Sequence, residues 1–211
     1  MTPDVPTLRE RLSVSGYVHV PGPVDAAEYR RLAEGLGVVV QEEMICLRPD
    51  AHAYVAKPGR VPLHTDQAQV SVVAWHCEDQ DRDDGASLLL DARAMVESLS
   101  AHERDVLRNV ELACPPVSGG PPTLRFAVLR QRPVGDAVFC SPWLQSADPL
   151  PVLVRALDDF RRRLSDAAVT RTVRVRLRAG DALFVDNQRV LHGRNSITDT
   201  STRRLRRFWV V

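Results

Sequence analysis

Short runs of β-branched and aliphatic residues, bounded by glycine, proline or polar turn residues, recur along the chain and limit the folds open to it. They lie at residues 16–20, 37–47, 70–77, 87–90, 124–129, 172–177, 182–185 and 203–211. The run 172–177 (TVRVRL) alternates strictly, which is typical of an antiparallel strand with one buried face. The Ala179-Gly180-Asp181 step after it predicts a hairpin turn. Many short strands joined by turns predict a β-sandwich or jelly roll.

Helix signals occupy the segments between some of these runs. Helices are predicted at residues 25–36, 91–99, 100–110 and about 149–164. Asp25 and Ser100 each stand three residues before a glutamate, which is the capping-box spacing. We expect the helices to gather on one side of the strands. Because the 211 residues contain no internal repeat and no low-complexity linker, the chain is predicted to form a single domain over residues 1–211.

Charge and hydropathy argue against two classes of function. The 28 basic and 27 acidic side chains leave a net charge of +1, which gives no overall attraction for nucleic acid. No apolar run approaches the roughly 20 residues needed to span a bilayer, and residues 1–11 lack the apolar segment of a secretory signal. We therefore expect a cytoplasmic protein whose partner is a small molecule.

Three residues, far apart in the sequence, have the chemistry of a metal site. His64 and Asp66 are two positions apart, so on a strand their side chains would point to the same side. By itself this pattern is more often a turn or a surface hydrogen bond than a metal site. His192, after a later apolar run, adds a second imidazole. Two imidazoles and one carboxylate form the facial triad of non-haem Fe(II) enzymes, which leaves positions open for other ligands.

The C-terminal run carries four arginines, at positions 203, 204, 206 and 207. One interpretation is a solvated basic patch. The alternation of side chains along a strand favours another, because Arg203 and Arg207 share a face with Leu205 and Trp209 that is too apolar to be fully exposed. A buried guanidinium needs an anionic partner, and the carboxylate of a ligand would provide one.

Taken together, these residues resemble the taurine dioxygenase and clavaminate synthase-like superfamily of Fe(II)- and 2-oxoglutarate-dependent oxygenases. The shared motifs stand in the family's order and span residues 63–207, about two thirds of the chain. They are His64-Thr65-Asp66, Asp84-Gly85-Ala86-Ser87, Gly180-Asp181 leading to Asp186-Asn187, His192-Gly193-Arg194 and the arginine-rich C-terminus. The resemblance implies a mainly β fold with flanking helices, namely a double-stranded β-helix of the jelly-roll, cupin-like type.

The resemblance also assigns roles to individual residues. His64, Asp66 and His192 would be the Fe(II) ligands and hence the catalytic centre. Arg203, eleven residues beyond His192, would grip the distal carboxylate of 2-oxoglutarate. Ser87 stands where the family often has a threonine that hydrogen-bonds the same carboxylate.

Two further side chains are candidates for binding substrate. Arg207 lies where relatives bind an acidic group of the substrate. An alignment slip of one residue would instead give the roles of Arg203 and Arg207 to the neighbouring Arg204 and Arg206. Glu42 and Glu43 are adjacent in a predicted strand and therefore point to opposite faces. If one of the two faces inward, its carboxylate could bind a substrate amine, and Glu43 is the candidate. Alternatively, both face solvent on an edge strand.

These roles together predict an enzyme that uses Fe(II), 2-oxoglutarate and dioxygen to oxidise, most simply hydroxylate, an unactivated C–H bond. The expected substrate is a small polar metabolite such as an amino acid or a natural-product intermediate. Because Asp66 is present where halogenating relatives have a small residue, hydroxylation is favoured over halogenation. The alternative is a jelly-roll protein that binds metal or ligand without catalysis.

Two features receive looser assignments. The loop-like segments 114–122 and 130–150 are candidates for a lid. Trp75, Trp143 and Trp209 are assigned to packing, and contact between Trp143 and substrate is left open.

Overall fold

The computed structural model describes residues 2–48, 54–81, 85–113 and 125–211. The predicted lid segment 114–122 and Asp84 of the predicted motif lie outside these residues. Within the described ranges the chain forms mostly antiparallel sheets with flanking helices, as the sequence predicts.

The helices begin at capping residues where the sequence provides them. They are α1 (Val5–Ser15), α2 (Ala26–Leu36), α3 (Arg93–Glu97), α4 (Ala101–Arg108) and α5 (Pro151–Arg171), with a 3₁₀ turn at Tyr54–Ala56. Asp25 caps α2 by accepting the N–H of Glu28 at 2.8 Å. Ser100 and Glu103 form the predicted capping box at the start of α4. Among the described residues no helix is both long and apolar enough to cross a membrane.

The strands are short, in agreement with the runs found in the sequence. They are β1 (Tyr17–Val20), β2 (Val39–Cys46), β3 (Val61–His64), β4 (Val72–Asp79), β5 (Ser87–Asp91), β6 (Glu111–Ala113), β7 (Arg125–Ala127), β8 (Leu129–Arg130), β9 (Ala137–Val138), β10 (Gln145–Ser146), β11 (Val173–Val175), β12 (Ala182–Asp186), β13 (Val190–Arg194) and β14 (Arg204–Val210). One sheet has the order β1-β12-β4-β14-β2, and a second has the order β11-β5-β13-β3. Smaller sheets pair β10-β6-β7 and β8-β9.

Side chains from the two larger sheets meet in one buried cluster. Its members are Ile45, Cys77, Leu89, Val175, Leu177, Leu183, Val185, Val190 and Leu205. Full burial of an aliphatic side chain of this size stabilises the fold by about 1.5–3 kcal/mol. The cluster therefore holds the two sheets against each other, and the predicted site lies beside it.

The helices flank both large sheets, whereas the sequence analysis expected them on one side. Leu8 and Leu12 of α1 and Leu32 of α2 pack with residues of β4, β12 and β14. Phe160 and Leu164 of α5 pack with residues of β5 and β13. The physical reason is that each sheet is apolar on its outer face as well as its inner face, so each needs its own cover.

Strands β3 and β13 approach each other closely at Gly193. A β-carbon at this position would lie 2.6 Å from the carbonyl oxygen of Val61, so the contact requires glycine. The pairing places His192 directly opposite His64, and the register shifts between His192 and Arg194. Two candidate ligands that are remote in sequence thus become neighbours across one strand pair.

Candidate metal centre

The structure brings the three predicted ligands together in the interior. Ligand atoms of His64, Asp66 and His192 all lie within 4.8 Å of one another, and all three side chains are buried. Oδ1 of Asp66 lies 3.6 Å from Nε2 of His64 and 3.7 Å from Nε2 of His192. These separations exceed the length of a hydrogen bond, so the three atoms surround a common point without bonding to each other.

Asp66 reaches this point by a different route from the one predicted. The strand β3 ends at His64, so Asp66 lies in the loop that follows and strand alternation does not place it. Instead, hydrogen bonds fix the loop: the N–H of Thr65 donates to the carbonyl of Cys140 at 2.8 Å. The N–H of Asp66 donates to Oδ1 of Asn187 at 2.7 Å. The convergence depends on the long-range contacts of a loop.

Asn187 is a site residue whose role the sequence did not reveal, although it stands in a shared motif. Its side chain is 1% exposed. Its Oδ1 accepts the N–H of Asp66. Its Nδ2 donates to the carbonyl of Val70 at 2.9 Å and to that of Gln67 at 3.2 Å. One amide at the end of β12 therefore holds the loop after His64 at several points.

Hydrogen bonding fixes the proton on His64. Nδ1 lies 2.8 Å from the carbonyl oxygen of Pro62. Because a carbonyl can only accept, Nδ1 carries the proton and Nε2 presents its lone pair toward Asp66. This is the tautomer that a metal ligand requires.

Electrostatics favour the metal-binding protonation states of Asp66 and His192. Burial by itself would raise the pKa of Asp66, but interactions with the two imidazoles and the charge of Arg207 outweigh it, so the pKa lies well below its ordinary value of 3.8. Burial lowers the pKa of His192 below its ordinary value of 6.5, and the charge of His64 adds to this effect. An ionised carboxylate and a neutral imidazole are the forms that bind a metal ion.

The second carboxylate oxygen of Asp66, Oδ2, accepts hydrogen bonds from two other side chains. Oδ2 accepts a hydrogen bond from Nε1 of Trp209 at 2.7 Å and one from Arg207 at 3.3 Å. The same guanidinium donates to Oε2 of Glu43 at 2.6 Å and lies over the ring of Trp209, 4.8 Å from its centroid. The two predicted substrate-binding residues are thus next to the triad and bonded to each other.

Each of the three tryptophans contacts a different member of the triad. The sequence analysis, which assigned them to packing, did not predict these contacts. Trp75 meets the ring of His192 edge-on with 5.0 Å between centroids. Trp143 meets His64 in the same way at 4.8 Å, and Trp209 bonds Asp66.

A cavity extends from the two imidazoles to Arg203. Its lining includes His64, His192, Ser87, Arg203 and Arg207. Ser87 opens β5 and is 8% exposed. The two residues predicted to hold 2-oxoglutarate therefore share a cavity with two of the predicted metal ligands, His64 and His192.

Arg203 is buried in this cavity beside the side-chain amide of Gln80. It is 6% exposed, and its Nε donates to Oε1 of Gln80 at 3.2 Å. Among the described residues no acidic side chain forms an ion pair with its guanidinium. Burial, aided by the nearby charge of Arg194, lowers the pKa of Arg203 to about 10. A charged group in this setting is suited to an anionic ligand.

The alternation predicted for the C-terminal strand is correct. Arg203, Leu205 and Arg207 are buried, whereas Arg204 is exposed and Arg206 is half-buried. The latter two donate to Glu78 across the sheet surface. Arg203, and not Arg204, therefore lies in the cavity.

Comparison with known proteins identifies the family. Residues 2–209 match the model of the taurine catabolism dioxygenase TauD, TfdA family. The chain belongs to the TauD/TfdA family. This membership confirms the predicted superfamily and, with it, the prediction that the chain is a dioxygenase. No curated protein matches it by sequence.

Solved structures share the TauD/TfdA fold with this chain. Asparagine oxygenase superposes with a TM-score of 0.76 at 18% identity, over 99% of this chain and 79% of that one. The non-haem iron oxygenase OrfP, in complex with Fe and alpha-ketoglutaric acid, gives 0.74 at 16% identity, over 97% and 78%. PvcB from Pseudomonas aeruginosa gives 0.71 at 19% identity, over 98% and 80%. At these identities the likeness concerns the fold.

Proposed function

We propose that this member of the TauD/TfdA family is an Fe(II)- and 2-oxoglutarate-dependent oxygenase that hydroxylates an unactivated C–H bond of a small polar metabolite. The observation that carries the proposal is one cavity that joins His64 and His192 of the buried His64, Asp66 and His192 cluster to Arg203, which has no carboxylate partner among the described residues. We infer further that residues 1–211 form a single catalytic domain and that the two large sheets constitute a double-stranded β-helix of the jelly-roll type.

The donor set fits Fe(II). Two neutral imidazole nitrogens and one ionised carboxylate oxygen face a common point, which is the composition of the facial triad. Two atoms bound at about 2.1 Å to one ion lie about 3.0 Å apart at a right angle and at most about 4.2 Å apart, and the separations of 3.6 and 3.7 Å fall between these limits. Bound Fe(II), with 2-oxoglutarate and dioxygen, would supply the oxidising chemistry that couples decarboxylation to attack on the C–H bond.

Arg203 and Ser87 would hold 2-oxoglutarate by its distal carboxylate. The guanidinium can donate two parallel hydrogen bonds to a carboxylate, and the hydroxyl of Ser87 can donate a third. Both residues line the cavity that reaches His64 and His192. The resulting ion pair would satisfy a buried charge that has no carboxylate partner among the described residues.

Arg207 and Glu43 would select the substrate. They place a positive and a negative charge side by side near Asp66. A zwitterion could bind both, with its carboxylate on Arg207 and its ammonium on Glu43, which favours an amino acid or a related natural-product intermediate. Two structural neighbours carry such compounds: 3-hydroxyasparagine in asparagine oxygenase and 3-hydroxyarginine in OrfP.

Asp66 also supports hydroxylation over halogenation. Its carboxylate occupies the interior, and Trp209, Arg207 and Asn187 hold it there. A residue so firmly bound leaves no space at its position for a halide ion.

The test is succinate formation from 2-oxoglutarate with Fe(II) and ascorbate, measured while amino acids and related metabolites are screened as substrates. We expect substrate-stimulated turnover in the wild type, background turnover in His192→Ala, and wild-type turnover in His102→Ala, which removes an exposed histidine of α4. Equal rates in the wild type and His192→Ala would reject the proposal. Metal binding without turnover on any compound would favour the non-catalytic alternative.

A further inference from the structure

We infer that Trp209 is a positioning residue for the metal centre: its indole N–H holds one oxygen of Asp66 away, so that only the other faces the two imidazoles. This inference rests on the proposed function, because it concerns how Asp66 would bind the metal. The indole nitrogen lies 2.7 Å from Oδ2, whereas Oδ1 lies 3.6 and 3.7 Å from the imidazole nitrogens.

A carboxylate can bind a metal through one oxygen or through both, and its rotation decides between the two modes. In Asp66 such a rotation would break the bond from Trp209 and the 3.3 Å bond from Arg207. An indole N–H only donates, so it cannot exchange roles with the carboxylate. The pair of donors therefore favours binding through Oδ1 alone, which leaves more positions open at the metal.

The position of Trp209 makes it an effective support. It lies in β14, which pairs with β2 on one side and β4 on the other. The guanidinium of Arg207 covers its ring at 4.8 Å. The main chain is thus fixed by two neighbouring strands and the ring by a cation, so the N–H has little freedom to move away from Asp66.

The other two tryptophans provide matched controls within the same site. Trp75 and Trp143 contact His192 and His64 edge-on through their rings. Phenylalanine can retain a ring contact of this kind but lacks the N–H. Replacement of each tryptophan by phenylalanine therefore separates the hydrogen bond of Trp209 from the general effect of an aromatic ring beside a ligand.

The experiment is a Mn(II) titration of the full-length wild type and of Trp209→Phe, Trp75→Phe and Trp143→Phe, followed by electron paramagnetic resonance of the free ion. Loss of an outer hydrogen bond to a ligand typically costs about 10–100-fold in metal affinity. We expect Trp209→Phe to bind Mn(II) about 10-fold more weakly and the two controls to stay within about threefold of the wild type. The visible spectrum of the Co(II)-loaded protein should change in Trp209→Phe alone.

The outcomes separate this inference from the proposed function. A wild type that binds no metal would reject both. A wild type that binds metal, with Trp209→Phe equal to it in affinity and in Co(II) spectrum, would reject the positioning role and leave the function standing. If Trp209→Phe does not fold, benzothienylalanine, which has sulfur in place of the N–H, can be incorporated in a Trp75→Phe/Trp143→Phe background. The same loss of affinity is then expected, and its absence would overturn the inference.

Discussion

Arg203 and Arg207 lie on the same face of the C-terminal segment, four residues apart, and are almost equally buried, at 6% and 8% exposure. Arg207 bonds two carboxylates, those of Asp66 and Glu43. In the part of the chain that the structure describes, the guanidinium of Arg203 donates to the side-chain amide of Gln80 and to no carboxylate. Two arginines on the same face of one segment therefore have different electrostatic surroundings.

In the ligand-free protein the charge of Arg207 forms ion pairs within the fold. The charge of Arg203 is buried and has no carboxylate partner among the described residues. Removing one partner of a buried ion pair leaves an uncompensated charge behind, which is strongly destabilising. Removing a buried charge that has no partner relieves a desolvation penalty. We therefore expect the substitution of Arg207 to lower the stability of the ligand-free protein, and the substitution of Arg203 to weaken 2-oxoglutarate binding.

The largest expected effect is on 2-oxoglutarate affinity in Arg203→Met. Loss of a buried partner of a bound carboxylate costs about 2 kcal/mol or more, which corresponds to about 30-fold or more in the dissociation constant. Calorimetric titration of the Mn(II)-loaded protein with 2-oxoglutarate measures it. The unfolding free energy without ligand should stay the same or rise. Arg204→Met, which removes an exposed arginine from the opposite face, is the control; equal affinities in the two variants would refute the assignment.

The next effect is a loss of stability in Arg207→Met. Asp66 and Glu43 would lose their partner, and we expect the unfolding free energy to fall by about 2 kcal/mol, below the range for a fully buried pair because Glu43 is partly exposed. Urea denaturation of the metal-free protein measures it. Glu43→Gln keeps an acceptor for Arg207 and should cost less than half as much. A smaller loss in Arg207→Met than in Arg203→Met would reverse the comparison.

The smallest effect concerns the imidazole of His192. Burial is the main cause of its lowered pKa, and the charge of Arg207 contributes. In Arg207→Met this pKa should rise, and in Arg203→Met it should not change. Nuclear magnetic resonance titration of the metal-free variants measures both.

The lowered pKa of His192 also makes the stability of the metal-free protein depend on pH. Because the folded pKa of His192 lies below 6.5, the unfolded chain binds a proton before the native chain does as the pH falls through and below that value. The unfolding free energy of the metal-free protein therefore decreases in that range, and the decrease should be smaller in Arg207→Met. An unchanged pKa for His192 in both variants would mean that Arg207 does not act on the imidazoles.

The sequence alone predicted the parts of this arrangement that follow from local rules. Alternation along the C-terminal segment correctly assigned Arg203 and Arg207 to the interior, since residues separated by an even number of positions on a strand lie on the same face. The caps at Asp25 and Ser100 correctly located the starts of α2 and α4. The chemistry of His64, Asp66 and His192, two imidazoles and one carboxylate, was sufficient to predict that they form one metal site.

The parts that were missed depend on contacts between distant segments. Asp66 is placed by Asn187, 121 residues away, and by the loop that Cys140 anchors. The helix α1 was not predicted because Leu8 and Leu12 are its only buried residues, too few for a clear apolar stripe. The helix α5 extends to Arg171, beyond the expected end at residue 164, because no glycine or proline stops it.

The hydrogen atom that Gly193 carries in place of a side chain sets the width of the metal site. A methyl group there would meet the backbone of β3 at 2.6 Å, and a backbone cannot turn aside as a flexible side chain can. The strand would have to move outward, and His64 would move with it, because it lies on that strand directly opposite His192. The middle position of the His-Gly-Arg motif therefore acts as a spacer, and the distance between the two imidazoles depends on a residue that has no side chain.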